Sequence, residues 1–395
     1  MQHEPHNTNS PHGWLGIHRG HKARPLEWLA EKFIFLVSLS AIFVVLLIFL
    51  FVAREALPVF LGRTDTALVQ EAIPPEQIES LSPEKIQSYL ALTPKQFAGM
   101  DKETLKSLME VKQQEQDEIP AQFRNDPDAR ANTTEWHYLL SPHQWHGYDK
   151  PELIWQPVGQ IKKFNIIPLF VGSLKITLIG LMFAVPLAVG AAIYVSQLAR
   201  PRVREIVKPA IEMLSGIPSV VVGFFALLIM ATVLQNIFHY QTRLNALVAG
   251  IALGFAVIPV VFSIAEDALT SVPRSYTQAA LALGASRWQT AWQIVLPAAL
   301  PGVFAATVLG FGRAIGETMI VLMVCSASVM SWSAFDSARS ITTTIAAEMA
   351  EAVSGGAHYR ILFMLGALLF AATFISNMIG EFVIHRFKNK LEGKR

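Results

Sequence analysis

The chain has 395 residues, of which 52% are hydrophobic and 16% charged, with a net charge of +2. That is too apolar for an ordinary soluble domain and too weakly basic for a nucleic-acid surface. The single cysteine, Cys325, excludes a disulfide framework and a cysteine-based zinc site, and neither a Walker A pattern nor a His-Glu-x-x-His motif occurs. A chain without a nucleotide site must take energy from a partner if it pumps anything.

Residues 1–32 form a polar tail with irregularly spaced His3, His6, His12, His18 and His21. Their spacing is irregular and no thiol lies among them, so a disordered tail fits better than a metal tract. The first apolar run, Phe33 to Ala53, lacks a small-residue cleavage site after it and reads as a spanning helix rather than a signal peptide. Residues 54–167 form a long polar insert with repeated helix starts at Pro74-Pro75-Glu76, Ser82-Pro83-Glu84, Thr93-Pro94-Lys95-Gln96 and Asp101-Lys102-Glu103. Apolar residues are sparse there, which predicts short helices over a thin core. Trp136, Trp145 and Trp155 lie among polar residues and suit a membrane-interface belt.

Five further spans are predicted at Pro168–Val195, Ile217–Gln235, Leu244–Ala265, Pro301–Cys325 and Ile361–Ile384. The core of residues 168–384 is followed by a basic tail, 385–395. Lys175 lies just inside the second span, where its stem can snorkel to the interface. Gly216-Ile217-Pro218-Ser219 opens the third span, either as an ordinary helix start or as a broken-helix element. Glu266 and Asp267 end the fourth span and are expected in water at the inner surface. Residues Thr342 to Ala352 predict a short amphipathic helix on the outer face, a plug or brace.

Basic residues orient the chain. One side carries Arg19, Lys22, Arg24 and Lys32, then Arg200, Arg202, Arg204 and Lys208, then Arg274 and Arg287, then Arg386, Lys388, Lys390, Lys394 and Arg395. The short opposite segments carry only Arg243, Arg339 and Arg360. Both termini and the loop at 271–297 are therefore expected inside, and residues 54–167 outside.

The stretch from Ser271 to Glu317 carries the most specific signals. Pro273 suits a first helical turn, and Tyr276 to Leu283 is rich in alanine and leucine. Gly284 breaks that helix, and Ser286 with Gln289 forms a capping box for a second one. The second helix sets Trp288 and Trp292 one turn apart and is expected to end near Leu296-Pro297, with breaks at Pro297 and Pro301. In the apolar run that follows, Arg313 and Glu317 are four apart and are expected on one face of one helix. Glu317 would then lie about 6 Å along the axis from Arg313. Gly312 and Gly316 share an adjacent face, open to a closely packed helix. A charge at bilayer depth costs roughly 2.5–3.5 kcal/mol even on the mildest scale, so it faces a cavity or a partner.

Gln278-Ala279-Ala280, Gly284-Ala285 and Ile294-Val295-Leu296-Pro297 resemble the EAA loop of ABC importer permeases, with Gln278 where many members carry glutamate. Gly312-Arg313-Ala314-Ile315-Gly316-Glu317-Thr318-Met319 resembles the signature of phosphate-importer permeases, closer to PstC-type than to PstA-type subunits. Trp155-Gln156-Pro157-Val158, Pro168 to Thr177, Ser215 to Val220 and Ser340 to Asn377 extend the likeness. The resemblance implies an all-α polytopic membrane protein with six transmembrane helices in the ABC importer permease fold, plus a helical extracytoplasmic insert between helices 1 and 2. It implies a multi-pass subunit of the bacterial inner membrane, itself no enzyme and without cofactor or metal. Its implied partners are a PstA-like permease, a cytoplasmic PstB-like ATPase dimer and a periplasmic PstS-like phosphate-binding protein. Arg313, Glu317, Gly312, Gly316 and Thr318 would line the substrate pathway. Gln278, Ala279, Ala280, Gly284, Ala285, Leu296 and Pro297 would form the ATPase-coupling loop. For an anionic solute, Lys175 gains a second reading as a substrate contact.

Other classes fit less. A membrane enzyme needs a catalytic constellation, and none is visible beyond Arg313 and Glu317. A scaffold or sensor would account for the insert but not for the buried arginine. Within transport, sulfate or molybdate is the alternative substrate.

Overall fold

The computed structural model describes residues 25–69, 81–90, 92, 94–325 and 330–391. The histidines of the tail, the start signal at Pro74-Pro75-Glu76, Thr93, and the basic residues Arg19, Lys22, Arg24, Lys394 and Arg395 lie outside them. Six helices are long and apolar enough to cross a membrane: Leu29–Phe60, Ile167–Leu198, Ser219–Phe238, Ala246–Thr270, Arg287–Ile315 and Ala357–Ile384. The six-span all-α architecture thus holds, with one span displaced along the sequence.

The chain divides into two units, residues 1–51 and 52–395. The first contributes most of helix α1 (Pro25–Phe60), whose residues 29–50 are exposed on every side. A helix apolar all round finds its solvent in lipid. α1 outruns the expected Phe33–Ala53 at both ends. Pro25 suits a helix start, and Ala56 and Val59, in the second unit, are buried in a core.

The insert is built from short helices: α2 (Pro83–Tyr89), α3 (Pro94–Ala98), α4 (Lys102–Glu118), α5 (Ala121–Arg124) and α6 (Trp136–Leu140). Asp101 caps α4, accepting from the Thr104 N–H at 3.3 Å. Ile86, Tyr89, Leu105 and Met109 make the thin core that the composition predicts. Hydrogen bonds close the neck beside the buried apolar cluster of Ala56, Val59 and Leu139. Thr134 Oγ1 and Asn132 Nδ2 both donate to the Thr64 carbonyl, at 2.6 and 2.9 Å. The segment ends in a hairpin, β1 (Trp155–Gln156) against β2 (Lys163–Phe164), antiparallel.

The tryptophan belt does not form as expected. Trp145 and Trp155 are 4% and 1% exposed, and of the three only Trp136 is open. Trp145 sits among Tyr138, His143 and the Lys163 ammonium, 4.9 Å from its ring. Trp155 packs edge-on against Phe164 at 5.5 Å. A polar neighbourhood in sequence becomes an aromatic core because the hairpin folds these residues inward.

The bundle proper comprises α7 (Ile167–Ile193), α8 (Pro201–Leu214), α9 (Ser219–Phe225), α10 (Ala231–Phe238), α11 (Ala246–Thr270), α12 (Arg274–Ala282), α13 (Arg287–Thr290), α14 (Leu296–Ile315), α15 (Met319–Val324), α16 (Ile341–Glu348) and α17 (Ala357–Leu391). Wide π turns at 194–198, 226–230 and 291–295 prolong α7, join α9 to α10 and join α13 to α14. α11 is the central post, and small residues let its neighbours close on it. A methyl group on Gly250 would lie 2.5 Å from Ile179 of α7, and one on Gly310 of α14 would lie 2.6 Å from Val261 of α11.

Several expectations change here. No break occurs at Pro297 or Pro301. The π turn ends with Leu296 N–H bonded to Ala291 C=O, so Pro297 enters in the first turn of the next segment, where its missing N–H is harmless. The fifth span is therefore Arg287–Ile315, not Pro301–Cys325. The sixth span ends at Ile384 as expected and starts four residues earlier, at Ala357, while α17 itself continues to Leu391. α16 is not a surface helix: Ile341 to Thr344 and Glu348 are all buried. Lys175 does not snorkel freely. Its ammonium donates to the Ser331 and Ser333 carbonyls at 2.8 and 2.9 Å, pinning the chain that follows α15.

Candidate functional site

The predicted arginine–glutamate helix is interrupted. α14 stops at Ile315, Gly316 follows, and α15 begins only at Met319. Arg313 therefore lies in the last turn of α14, where the helix dipole favours a cation. Its side chain is exposed, on a face that this chain leaves uncovered. Glu317 lies in the break. Its Oε1 accepts from the N–H groups of Thr318 and Met319, at 3.2 and 3.1 Å. The carboxylate thus satisfies N–H groups that the start of α15 leaves without helical partners.

Arg313 and Glu317 consequently do not sit on one helical face, and among the described residues the ion pairs do not include them. The glycines also separate. A methyl group on Gly312 would lie 3.3 Å from Asn377 Oδ1 of α17, so Gly312 does admit a neighbouring helix. Gly316 belongs to the break and meets only its own backbone, 3.5 Å from the Gly312 carbonyl. α15 then packs inward, with Ile320, Val321 and Val324 buried and Gly223 of α9 against Met323. Thr318 immediately precedes α15 and keeps its hydroxyl 3.4 Å from the Gly316 carbonyl.

The second set of predicted residues forms a projecting hairpin of helices. α12 carries Gln278 and Ala279 exposed and Ala280 buried, and it ends at Leu283. Gly284 turns the chain at φ +86°, a conformation that side chains with a β-carbon rarely adopt. After Ala285, Ser286 caps α13 with the full capping box, Gln289 N–H to Ser286 Oγ at 3.2 Å and Ser286 N–H to Gln289 Oε1 at 2.9 Å. Trp288 and Trp292 pair at 5.6 Å between ring centres on the outside. At the tip, Leu283 is 89% exposed beside exposed Tyr276 and Leu281. Leu296 and Pro297 lie beyond this tip, inside the continuous helix Arg287–Ile315.

A third cluster lies at the base of that hairpin, and sequence reasoning missed it. Glu266, near the end of α11, is 0% exposed rather than in water. Arg204 Nη2 and Lys208 Nζ of α8 each donate to it at 2.6 Å, and Thr270 Oγ1 donates at 3.1 Å. An anion near a helix C-terminus is unfavourable, and two cations offset it. Asp267, by contrast, is open as expected, with Lys208 3.7 Å away. The Glu266 carboxylate holds Lys208 above the usual lysine range. The signal was present in the sequence: Pro201 opens a helix, and Arg204 and Lys208 are four apart on it beside Val207 and Ile211. Read only as orienting charges, they hid a structural role.

Residues 165–389 match the family of binding-protein-dependent transport system inner membrane components. Over 237 residues the chain is 33% identical to the probable ABC transporter permease protein YqgH of Bacillus subtilis, covering 60% of this chain and 77% of that protein. Over 263 residues it is 34% identical to the phosphate transport system permease protein PstC of Pasteurella multocida, covering 61% and 80%. The corresponding protein of Mesorhizobium japonicum is 32% identical over 252 residues, covering 59% and 76%. The family match takes in the bundle and excludes most of the insert.

Proposed function

The chain belongs to the family of binding-protein-dependent transport system inner membrane components, and on that premise we propose that it is the PstC-type permease subunit of an ATP-driven phosphate importer. It is a multi-pass membrane subunit and not itself an enzyme. Arg313 carries the reading: an exposed cation at the end of a spanning helix, without an ion-pair partner among the described residues, beside a break that bears Glu317. Phosphate near neutral pH carries negative charge and a proton. A guanidinium fork matches two of its oxygens, and an ionised carboxylate accepts from its hydroxyl. Relatives named as phosphate permeases support this substrate over other oxyanions.

The remaining assignments follow from the same premise. A PstA-like subunit would cover the open face of α14 and complete the pathway lined by Gly312, Arg313, Gly316, Glu317 and Thr318. A PstB-like ATPase dimer would receive the tip around Leu283 and Gly284, with Gln278, Ala279, Ala280 and Ala285 behind it. A PstS-like binding protein would deliver phosphate from the side of the insert, residues 54–167. Both termini would be cytoplasmic.

The test is phosphate uptake by a transport-null strain carrying this chain with its partners. Uptake restored by the wild type and abolished by Arg313→Gln, with the complex still assembled, supports the reading. Restoration of sulfate or molybdate uptake alone replaces phosphate with another oxyanion. Normal phosphate uptake by Arg313→Gln removes the arginine from the pathway.

A further inference from the structure

Glu348 closes α16 as a buried carboxylate, and such a group is tolerated only when donors surround it. Arg339 Nη1 donates to Oε1 at 2.7 Å. His358 Nε2, at the start of α17, lies 2.9 Å from Oε2. Trp155 Nε1, from β1 of the outer hairpin, reaches the two oxygens at 3.1 and 3.2 Å. One carboxylate therefore joins the insert, α16 and α17.

The other end of α16 is held as firmly. Ser340 caps it in a capping box with Thr343, and Ile341 N–H donates to Ser173 Oγ of α7 at 2.9 Å. Gly172 brings α7 against Arg339: a methyl group there would fall 2.2 Å from the Arg339 carbonyl oxygen. Thr342 Oγ1 then donates to the backbone carbonyl of Glu317 at 2.9 Å. Breaking a helix leaves carbonyls without their usual donors. At Glu317 that donor is a buried side chain from a distant segment. α16 is eight residues long, about 12 Å at 1.5 Å per residue. It is a short rigid strut with the insert at one end and the break at the other.

We propose that Thr342 is a positioning residue for Glu317, and that α16 makes the outer hairpin part of the same unit through Glu348 and Trp155. The proposal rests on the reading that Glu317 handles the transported oxyanion. Its content is mechanical. A displacement of the hairpin is passed along α16 to the carbonyl of the residue whose carboxylate starts α15. A strut of this kind lets the outer segment adjust the pathway without touching solute.

The experiment uses the assembled transporter in cells. It compares wild type with Thr342→Val, which keeps the shape and loses the donor, Thr342→Ser, which keeps the donor, and Trp155→Phe, which keeps a ring and loses the N–H. The readouts are KM and maximal rate for phosphate and the discrimination against sulfate. Thr342→Val is expected to lower discrimination about two- to tenfold, the range open to one hydrogen bond, at unchanged membrane level. Thr342→Ser is expected to restore it, and Trp155→Phe to shift it in the same direction as Thr342→Val. In a Glu317→Gln background, Thr342→Val should add nothing, because both act on one element.

Wild-type discrimination in Thr342→Val, equal impairment by Val and Ser, or full additivity with Glu317→Gln would each overturn the positioning role. A silent Trp155→Phe beside an impaired Thr342→Val would overturn the part assigned to the hairpin. Failure of the functional reading looks different. The wild type would then move sulfate and not phosphate, and the same cycle would be run on the oxyanion that is transported.

Discussion

The Glu317 carboxylate accepts from the backbone N–H of Met319 at 3.1 Å, so it caps α15 rather than pairing with Arg313. One side chain thus holds the break together and offers a negative charge beside the uncovered face of α14. The two roles separate by substitution. Glu317→Gln keeps an oxygen acceptor for the cap and loses the charge. Glu317→Leu loses both, and loss of a capping acceptor costs about 0.5–2 kcal/mol. We expect Glu317→Gln to assemble normally yet lose discrimination against sulfate, and Glu317→Leu to be less stable as well. Arsenate, which also carries a proton, should be rejected no better than by wild type. Uptake competition together with thermal stability of the purified complex checks all three statements.

The tip of the projecting hairpin gives a cleaner separation of stability from function. Leu283 is almost fully exposed and Gly284 holds φ +86°. Leu283→Ser removes little buried area, so the isolated subunit should melt within about 0.5 kcal/mol of wild type. Transport-coupled ATP hydrolysis should nevertheless fall, because the apolar tip is what a cleft on the ATPase would hold. Gly284→Val forces a β-branched residue into left-handed backbone, costing about 1–2 kcal/mol, and should uncouple hydrolysis from uptake while the protein remains in the membrane. Hydrolysis and uptake measured side by side in reconstituted vesicles decide this. Unchanged coupling in both variants would instead leave Trp288 and Trp292 as lipid anchors.

Glu266 is expected to be a stability hot spot. Its removal leaves Arg204 and Lys208, which are 40% and 31% exposed and can be taken up by water, so Glu266→Ala should cost about what lost hydrogen bonds to charged groups cost, roughly 1.5–3 kcal/mol. Arg204→Ala and Lys208→Ala should each cost less, since the other cation remains. The sign of the pH dependence follows from Lys208. Its folded pKa is raised above the ordinary 10.5, so its contribution is fully present below that value and is lost as pH rises through the raised pKa. Thermal melts of wild type and Lys208→Met should therefore differ by a constant amount from pH 6 to pH 9 and converge only in strong alkali.

Orientation is tested chemically. Cys325 is buried, and a Cys325→Ser background allows single cysteines at the exposed positions Ser82 and Ser286. An impermeant thiol reagent should label Ser82→Cys in intact cells and reach Ser286→Cys only after the membrane is opened. The reverse pattern would invert the chain.

What the sequence by itself determined was whatever depends on neighbours along the chain. Six apolar runs demanded six spans, because an unpaired backbone has no solvent in lipid. Ser286 with Gln289 specified a capping box, and Gly284 specified a turn, through bonds that reach no further than three residues. Arg313 and Glu317 stood out because charges in an apolar run are costly wherever they point. Tertiary structure decided the rest. Four-residue spacing predicts a shared face only if the helix continues, and α14 stops at Ile315. Glu317 then caps α15, and Thr342, brought in by the packing of α16 on α7, holds its carbonyl. A carboxylate near a span end suggests water, yet α8 folds back to bury Glu266 under Arg204 and Lys208. Trp155 lies among polar residues in sequence and 193 positions before Glu348, the group that receives its N–H. Hydrogen bonds between such distant partners leave no periodicity to read, and only packing reveals which buried donor meets which buried acceptor.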